Sequence, residues 1–350
     1  MPESIIEVKD LKVDFPSEDG TVHAIRGVHF ELFPHEVLGI VGESGSGKSV
    51  TSLALIGLLA KSATTTGSIK LNGDELLGKS EKELTPYRGK TIAMIFQDPM
   101  TSLNPVYTIG WQIMEALQAH QDISKEDAKK EAVRLLEAAG ISQAENRMES
   151  YPHEFSGGMR QRAVIAIAMA NSPQVILADE PTTALDVTVQ AQVLDTLRVA
   201  LRETQASLVL ITHDLGVIAG LADRVAVMYA GRIVETGTVE DLFYQTAMPY
   251  THGLLGSIPS VDDTGMDRLR QIPGAPPTMV GDAKGCPFAP RCPLRQAICL
   301  ETEPELVKVT NSESSAFHAS ACHFANDVTK MPVASMFTDT SSADESERTI

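Results

Sequence analysis

Hydrophobic and polar residues alternate over positions 5–15 and again over 24–32, with the turn SEDG at 17–20 between them. A period of two on either side of a turn predicts paired β-strands. The pattern then changes to short, unbroken apolar runs: VLGIV at 37–41, TIAMIF at 91–96, QVILAD at 174–179, LVLIT at 208–212 and RVAVMY at 224–229. Runs of this length read as strands buried on both faces. Between them the spacing predicts helices over 49–59, 109–119, the KEDAKKEAVRLLEAAG stretch capped by Gly140, 158–170, 187–204, and a short one from Leu215. The hairpin-like AGRIVETG closes this unit near residue 245. Buried strands alternating with helices predict an α/β domain with a largely parallel sheet.

After Pro249 the composition shifts to Pro, Gly and Asp, which reads as a linker over 249–283. A cysteine-bearing segment over 284–325 follows, and the polar tail 326–350 is expected to be disordered. A length of 350 residues suits about two domains, and 43% hydrophobic residues suffice for a full core. The longest apolar runs stop well short of about 18 residues, so no membrane span is expected. The opening MPESIIEVKD lacks the basic-then-apolar order of a secretory signal, which points to the cytosol. A net charge of −17 argues against a broad electrostatic grip on nucleic acid or anionic lipid. Contact with a membrane is expected to go through protein.

Candidate chemistry begins at Gly42, where GESGSGKS fits GxxxxGK followed by Ser or Thr, between a buried strand and a helix. Gly42, Gly45 and Gly47 let successive backbone N–H groups, with that of Ser44, turn toward phosphate oxygens at the positive end of the helix. Lys48 would neutralise β/γ-phosphate charge, and the Ser49 hydroxyl would ligate Mg²⁺. The VILADE run then brings two carboxylates to the end of another strand. Asp179 would hold Mg²⁺ through water, and Glu180 would orient or deprotonate the attacking water.

FSGGMRQR at 155–162, just ahead of that strand, resembles the signature motif of ABC-type ATPases, and the resemblance extends over residues 1–250. It implies an ABC-type P-loop fold with a helical subdomain at about 100–170, inside an ATPase domain spanning 1–248. Gln97 is similar to the glutamine that touches Mg²⁺ and the attacking water, and His213 to the histidine that contacts γ-phosphate. Phe15 stands where the family stacks an aromatic ring on adenine. The family closes two ATPase subunits head to tail, so Ser156, Gly157, Gly158 and Asp186 would meet the partner's nucleotide. Met159 departs from the commoner glutamine, leaving the backbone N–H groups as the contact there.

All four cysteines, Cys286, Cys292, Cys299 and Cys322, fall in the C-terminal segment. In a reducing compartment such a cluster reads as metal ligands, and four thiols suit an iron–sulfur cluster or a Cys₄ zinc site. Pro287 and Pro293 would bend the chain so that the thiolates converge, and Arg291 would offset their charge. His318 and His323 are read as bystanders. The run GCPFAPRC through HASACH resembles the C-terminal extension of dipeptide/oligopeptide permease ATPases, some of which carry a 4Fe–4S cluster. DPMTSLNPV, DVTVQAQVL and MPYTHGLLGSIP point the same way.

The resemblance implies an ATP-hydrolysing subunit at the cytoplasmic face of the cell membrane. It would power import of peptides or related small solutes through two separate permease subunits. A second, non-identical ABC ATPase would pair with it, and an extracytoplasmic solute-binding protein would act indirectly. The alternative is a soluble, non-transport ABC ATPase with a redox-sensing iron–sulfur module.

Overall fold

The computed structural model describes residues 3–258, 272–281, 284–310, 315–332 and 336–337. The alternating N-terminal segments form β1 (Ile6–Ser17) and β2 (Gly20–Leu32), an antiparallel pair. β4 (Thr64–Leu71) lies along the other edge of β1, and β5 (Asp74–Glu75) completes a four-stranded sheet. In the second sheet β3 (Val37–Val41) lies between parallel β8 (Ser207–Thr212) and β9 (Arg224–Tyr229), with β7 (Val175–Asp179) parallel beside β8 and β6 (Ile92–Ile95) parallel beside β7. β10 (Arg232–Thr238) turns back antiparallel on β9.

The unbroken apolar runs are explained by cores on both faces of this second sheet. Along β7, Ile176 and Ala178 enter a core shared with the helices, while Val175 and Leu177 enter a second core beneath the antiparallel sheet. β8 divides the same way, Leu208 and Leu210 against Val209 and Ile211. A period of two is present, but both phases are apolar. Helices Ile109–Gln118, Lys125–Ala138 and Gly157–Met169 pack together on the first face.

The chain beyond residue 248 departs from the expected linker and separate segment. Its first stretch is a helix, Pro249–Gly256, in which Tyr250, Thr251 and His252 are fully buried. Proline at the first helical position is compatible with this, since that N–H has no helical partner. Further on, β12 (Ala319–Ser320) pairs with β10, and β11 (Val307–Lys308) pairs with β12, so the cysteine-bearing segment extends the ATPase sheet. A short helix, Ala325–Val328, occupies the start of the expected tail. Positions 259–271 and 282–283 of the expected linker, 311–314 of the cysteine-bearing segment, and 333–335 and 338–350 of the tail lie outside the described residues. Among the described residues no helix is long and apolar enough to cross a membrane.

Candidate functional site

Ligands of open parallel sheets bind beyond the carboxyl ends of the strands. β3 delivers the glycine loop to that edge. Gly42 has no room for a side chain, because a Cβ would lie 2.2 Å from the Met228 carbonyl oxygen. Gly47 adopts a φ of 106°, in the left-handed region that favours glycine, and opens the helix Lys48–Leu55. Buried Lys48 donates to the carbonyls of Gly42 and Glu43 at 2.8 and 3.0 Å. Burial lowers its pKa, against the carboxylates of Glu180, Asp179 and Glu43.

Ser49 Oγ donates to Asp179 Oδ1 at 3.1 Å. Burial raises the Asp179 pKa, opposed by that hydrogen bond, and the Glu180 charge adds to the rise. A hydroxyl and a buried carboxylate in contact at the mouth of a phosphate loop form an oxygen donor set suited to Mg²⁺. Glu180 has a φ of 47°, unusual for a residue with a side chain. Its carboxylate accepts from Gln97 Nε2 at 3.0 Å and Thr183 Oγ1 at 2.7 Å, with His213 Nδ1 at 3.4 Å.

Ser44, Gly45, Gly47, Lys48 and Ser49 line one cavity of about 680 Å³ together with Gln97, Glu180 and His213. That volume suits a nucleotide-sized ligand. Glu43 and Pro276 also line it. The sequence reading missed both, although Glu43 stands inside the motif itself.

Other expected site residues lie elsewhere. Phe15 pairs with Val22 and packs against the core beneath the antiparallel sheet, away from the cavity lining. Ser156 caps the helix Gly157–Met169, its Oγ accepting from the Met159 N–H at 3.3 Å. Gly158 packs against Val189, where a Cβ would lie 2.2 Å from Cγ1. Asp186 caps the helix Val187–Thr204. Ser156, Gly157 and Asp186 are exposed, and none of the four lines the phosphate cavity.

The four cysteines are free thiols that line a single, separate cavity among Met248, Pro249, Phe288 and Leu294. A hydrogen bond from the Cys286 amide to the Cys299 carbonyl, 2.8 Å, closes one side. Burial raises the Cys286 thiol, pushes Cys292 up to about 11 and Cys322 up to about 12. Among the described residues no three His, Cys, Asp or Glu side chains are placed to hold a single metal ion. Arg291 does not offset thiolate charge as expected. Its guanidinium forms a two-pronged pair with the Glu43 carboxylate, at 2.7 and 2.9 Å. That pair keeps Arg291 even more firmly protonated than usual. His318 is a bystander to this cavity, buried instead against Glu235 at 3.1 Å.

Comparison with known proteins follows the same division of the chain. The ABC transporter family matches residues 25–183, and the family described as oligopeptide/dipeptide transporter, C-terminal region, matches 234–299. The chain is 53% identical over 310 residues to the oligopeptide transport ATP-binding protein OppD of Bacillus subtilis, covering 88% of this chain and 87% of that one. It is 51% identical over 304 residues to the dipeptide transport ATP-binding protein DppD of the same organism, covering 86% and 90%. It is also 53% identical over 313 residues to OppD of Mycobacterium tuberculosis, but spans only 51% of that protein's length. Among solved structures, a dimeric post-hydrolysis state of the ATP-binding cassette MJ0796 with ADP and Pi aligns at a TM-score of 0.61 and 26% identity, over 67% of this chain and 98% of that one. The chain belongs to the ABC transporter family, among the oligopeptide and dipeptide transport ATP-binding proteins.

Proposed function

We propose that the chain is the ATP-hydrolysing subunit that powers import of peptides or related small solutes. It would act at the cytoplasmic face of the membrane, through two separate permease subunits fed by an extracytoplasmic binding protein. The observation that carries the reading is the convergence of Lys48, Ser49, Gln97, Glu180 and His213 on one cavity, with Asp179 joined to it through Ser49. Lys48 neutralises phosphate charge, and the loop amides hold the phosphate oxygens. Ser49, Asp179 and Gln97 would hold Mg²⁺, which when bound supplies further charge neutralisation on the phosphates. Glu180 takes the proton of the attacking water, Gln97 orients that water, and His213 lies beside the same carboxylate oxygen that Gln97 contacts.

The exposed ends around Ser156, Gly157, Gly158 and Asp186 belong in this reading to a second site. They would close on the nucleotide of a homologous, non-identical ABC ATPase, because a helix N-terminus outside its own phosphate cavity remains open to another anion. Support comes from the dimeric arrangement named for the aligned cassette.

The four cysteines would hold a 4Fe–4S cluster, with zinc as the alternative, and the group would supply bonds that fix a segment short of apolar core. What supports the reading is that all four thiols line one cavity. The relatives named above are transport proteins, and the soluble redox-sensing alternative has no observation in its favour.

The test is reconstitution in vesicles with two permeases and a partner ATPase. ATP-dependent uptake of a labelled dipeptide or oligopeptide is expected. Hydrolysis without uptake of any peptide overturns the substrate class, and absence of hydrolysis overturns the ATPase.

A further inference from the structure

The chain beyond residue 248 reaches the nucleotide cavity, where Pro276 joins the lining. Arg291, the residue before Cys292, reaches back to the phosphate loop, and its guanidinium forks onto both oxygens of Glu43. The fork is held from behind. Its Nε donates to the Pro273 carbonyl at 2.8 Å, one Nη to the Gly274 carbonyl at 3.1 Å, and the cation lies near the rings of Tyr229 and Phe288. Glu43 is also fixed at its other polar groups. Its amide donates to the Tyr250 hydroxyl at 2.8 Å, and its carbonyl accepts from Lys48. The irregular stretch whose Pro273 and Gly274 carbonyls hold the Arg291 guanidinium runs on to Pro276, which lines the same cavity as Glu43.

A carboxylate inside a loop shaped for polyphosphate is a liability. Left unpaired, it repels the anion and draws on the charge of Lys48. A bidentate arginine removes both effects while fixing the loop, a task for which lysine lacks the planar fork. We propose that Arg291 is a positioning residue for nucleotide binding, which neutralises Glu43 and so lets the C-terminal segment set the affinity of the phosphate loop. The inference rests on reading the cavity as the nucleotide site.

The experiment titrates the full chain with Mg²⁺–ATP and with Mg²⁺–ADP, at low and at high salt, and follows thermal unfolding of each variant. Arg291→Gln is expected to weaken binding by about tenfold, more at low salt than at high, because an unscreened charge is exposed. Adding Glu43→Gln should bring the affinity back to within about threefold of the parent, since the repulsive charge is then gone. Arg291→Lys should fall between the parent and Arg291→Gln. Restored binding in the double variant cannot come from a misfolded segment, so the cycle separates charge neutralisation from a merely structural role. Equal affinity in Arg291→Gln and parent overturns the inference, as does a double variant no better than the single. A parent chain that fails to bind nucleotide overturns the reading of the cavity instead.

Discussion

Gln97 and Glu180 stand 83 positions apart in the chain, yet Gln97 Nε2 lies 3.0 Å from Glu180 Oε2. Parallel register brings them together: Ile95 on β6 pairs with Ala178 on β7, and each site residue follows two positions later. His213 arrives one residue beyond the same level, because Asp179 pairs with Ile211 on β8. Three adjacent parallel strands thus end with an amide, a carboxylate and an imidazole around one oxygen.

That shared oxygen makes Glu180 the sensitive point. Glu180→Gln keeps the shape and the ability to accept from Gln97, but it cannot take a proton from water. Steady-state hydrolysis should fall by at least about a hundredfold while nucleotide binding persists. Near-normal turnover in the purified complex would remove Glu180 from its assigned role.

Ser156 offers a test of the trans contact. Ser156→Arg loses an N-cap, a change of about 1 kcal/mol in stability, and leaves the chain's own phosphate cavity untouched. ATP binding to the isolated chain should survive and turnover of the assembled transporter should vanish. Loss of binding in the isolated chain would contradict the head-to-tail arrangement.

Acid should loosen the attachment of the C-terminal segment through Asp241. Burial pushes this carboxyl up, but hydrogen bonds from Ser315 and Thr238 outweigh that and hold its pKa below the usual carboxylate value. A pKa lowered on folding adds stability that is complete above the unfolded value and fades as pH falls through the folded one. The loss therefore belongs below roughly pH 4. Asp241→Asn should lower the melting temperature by a few degrees at pH 7 and flatten the acid limb of stability. Matching melting curves for variant and parent at both pH values would dismiss the effect.

The cysteine cavity yields a colour test. Anaerobically purified chain should be brown and carry roughly four iron atoms, as a cubane cluster gives. Cys292→Ser should lose the colour and loosen the segment while nucleotide binding at Lys48 continues. Stoichiometric zinc without iron would replace the cluster by a zinc site, and metal-free chain with an ordered segment would exclude both.

Local chemistry was written plainly in the chain. A glycine loop between strand and helix has one main use, and an apolar run ending in Asp179 and Glu180 announces a buried strand with its carboxylates at the mouth. Helix 187–204 and strand 224–229 were legible to the residue because periodicity and caps agree there. β4 was not, since TTTGSIKL shows its apolar phase only at Ile69 and Leu71. Proline and glycine after 249 suggested a linker, whereas the helix there is held by burial of Tyr250 against Tyr229 and Phe288, a contact no local pattern encodes. The pairing of β12 with β10 and the reach of Arg291 to Glu43 are likewise decisions of tertiary structure. Two-residue strands and a single long side chain carry no period, so only the assembled sheet, which brings positions 43 and 291 to the same edge, determines their partners.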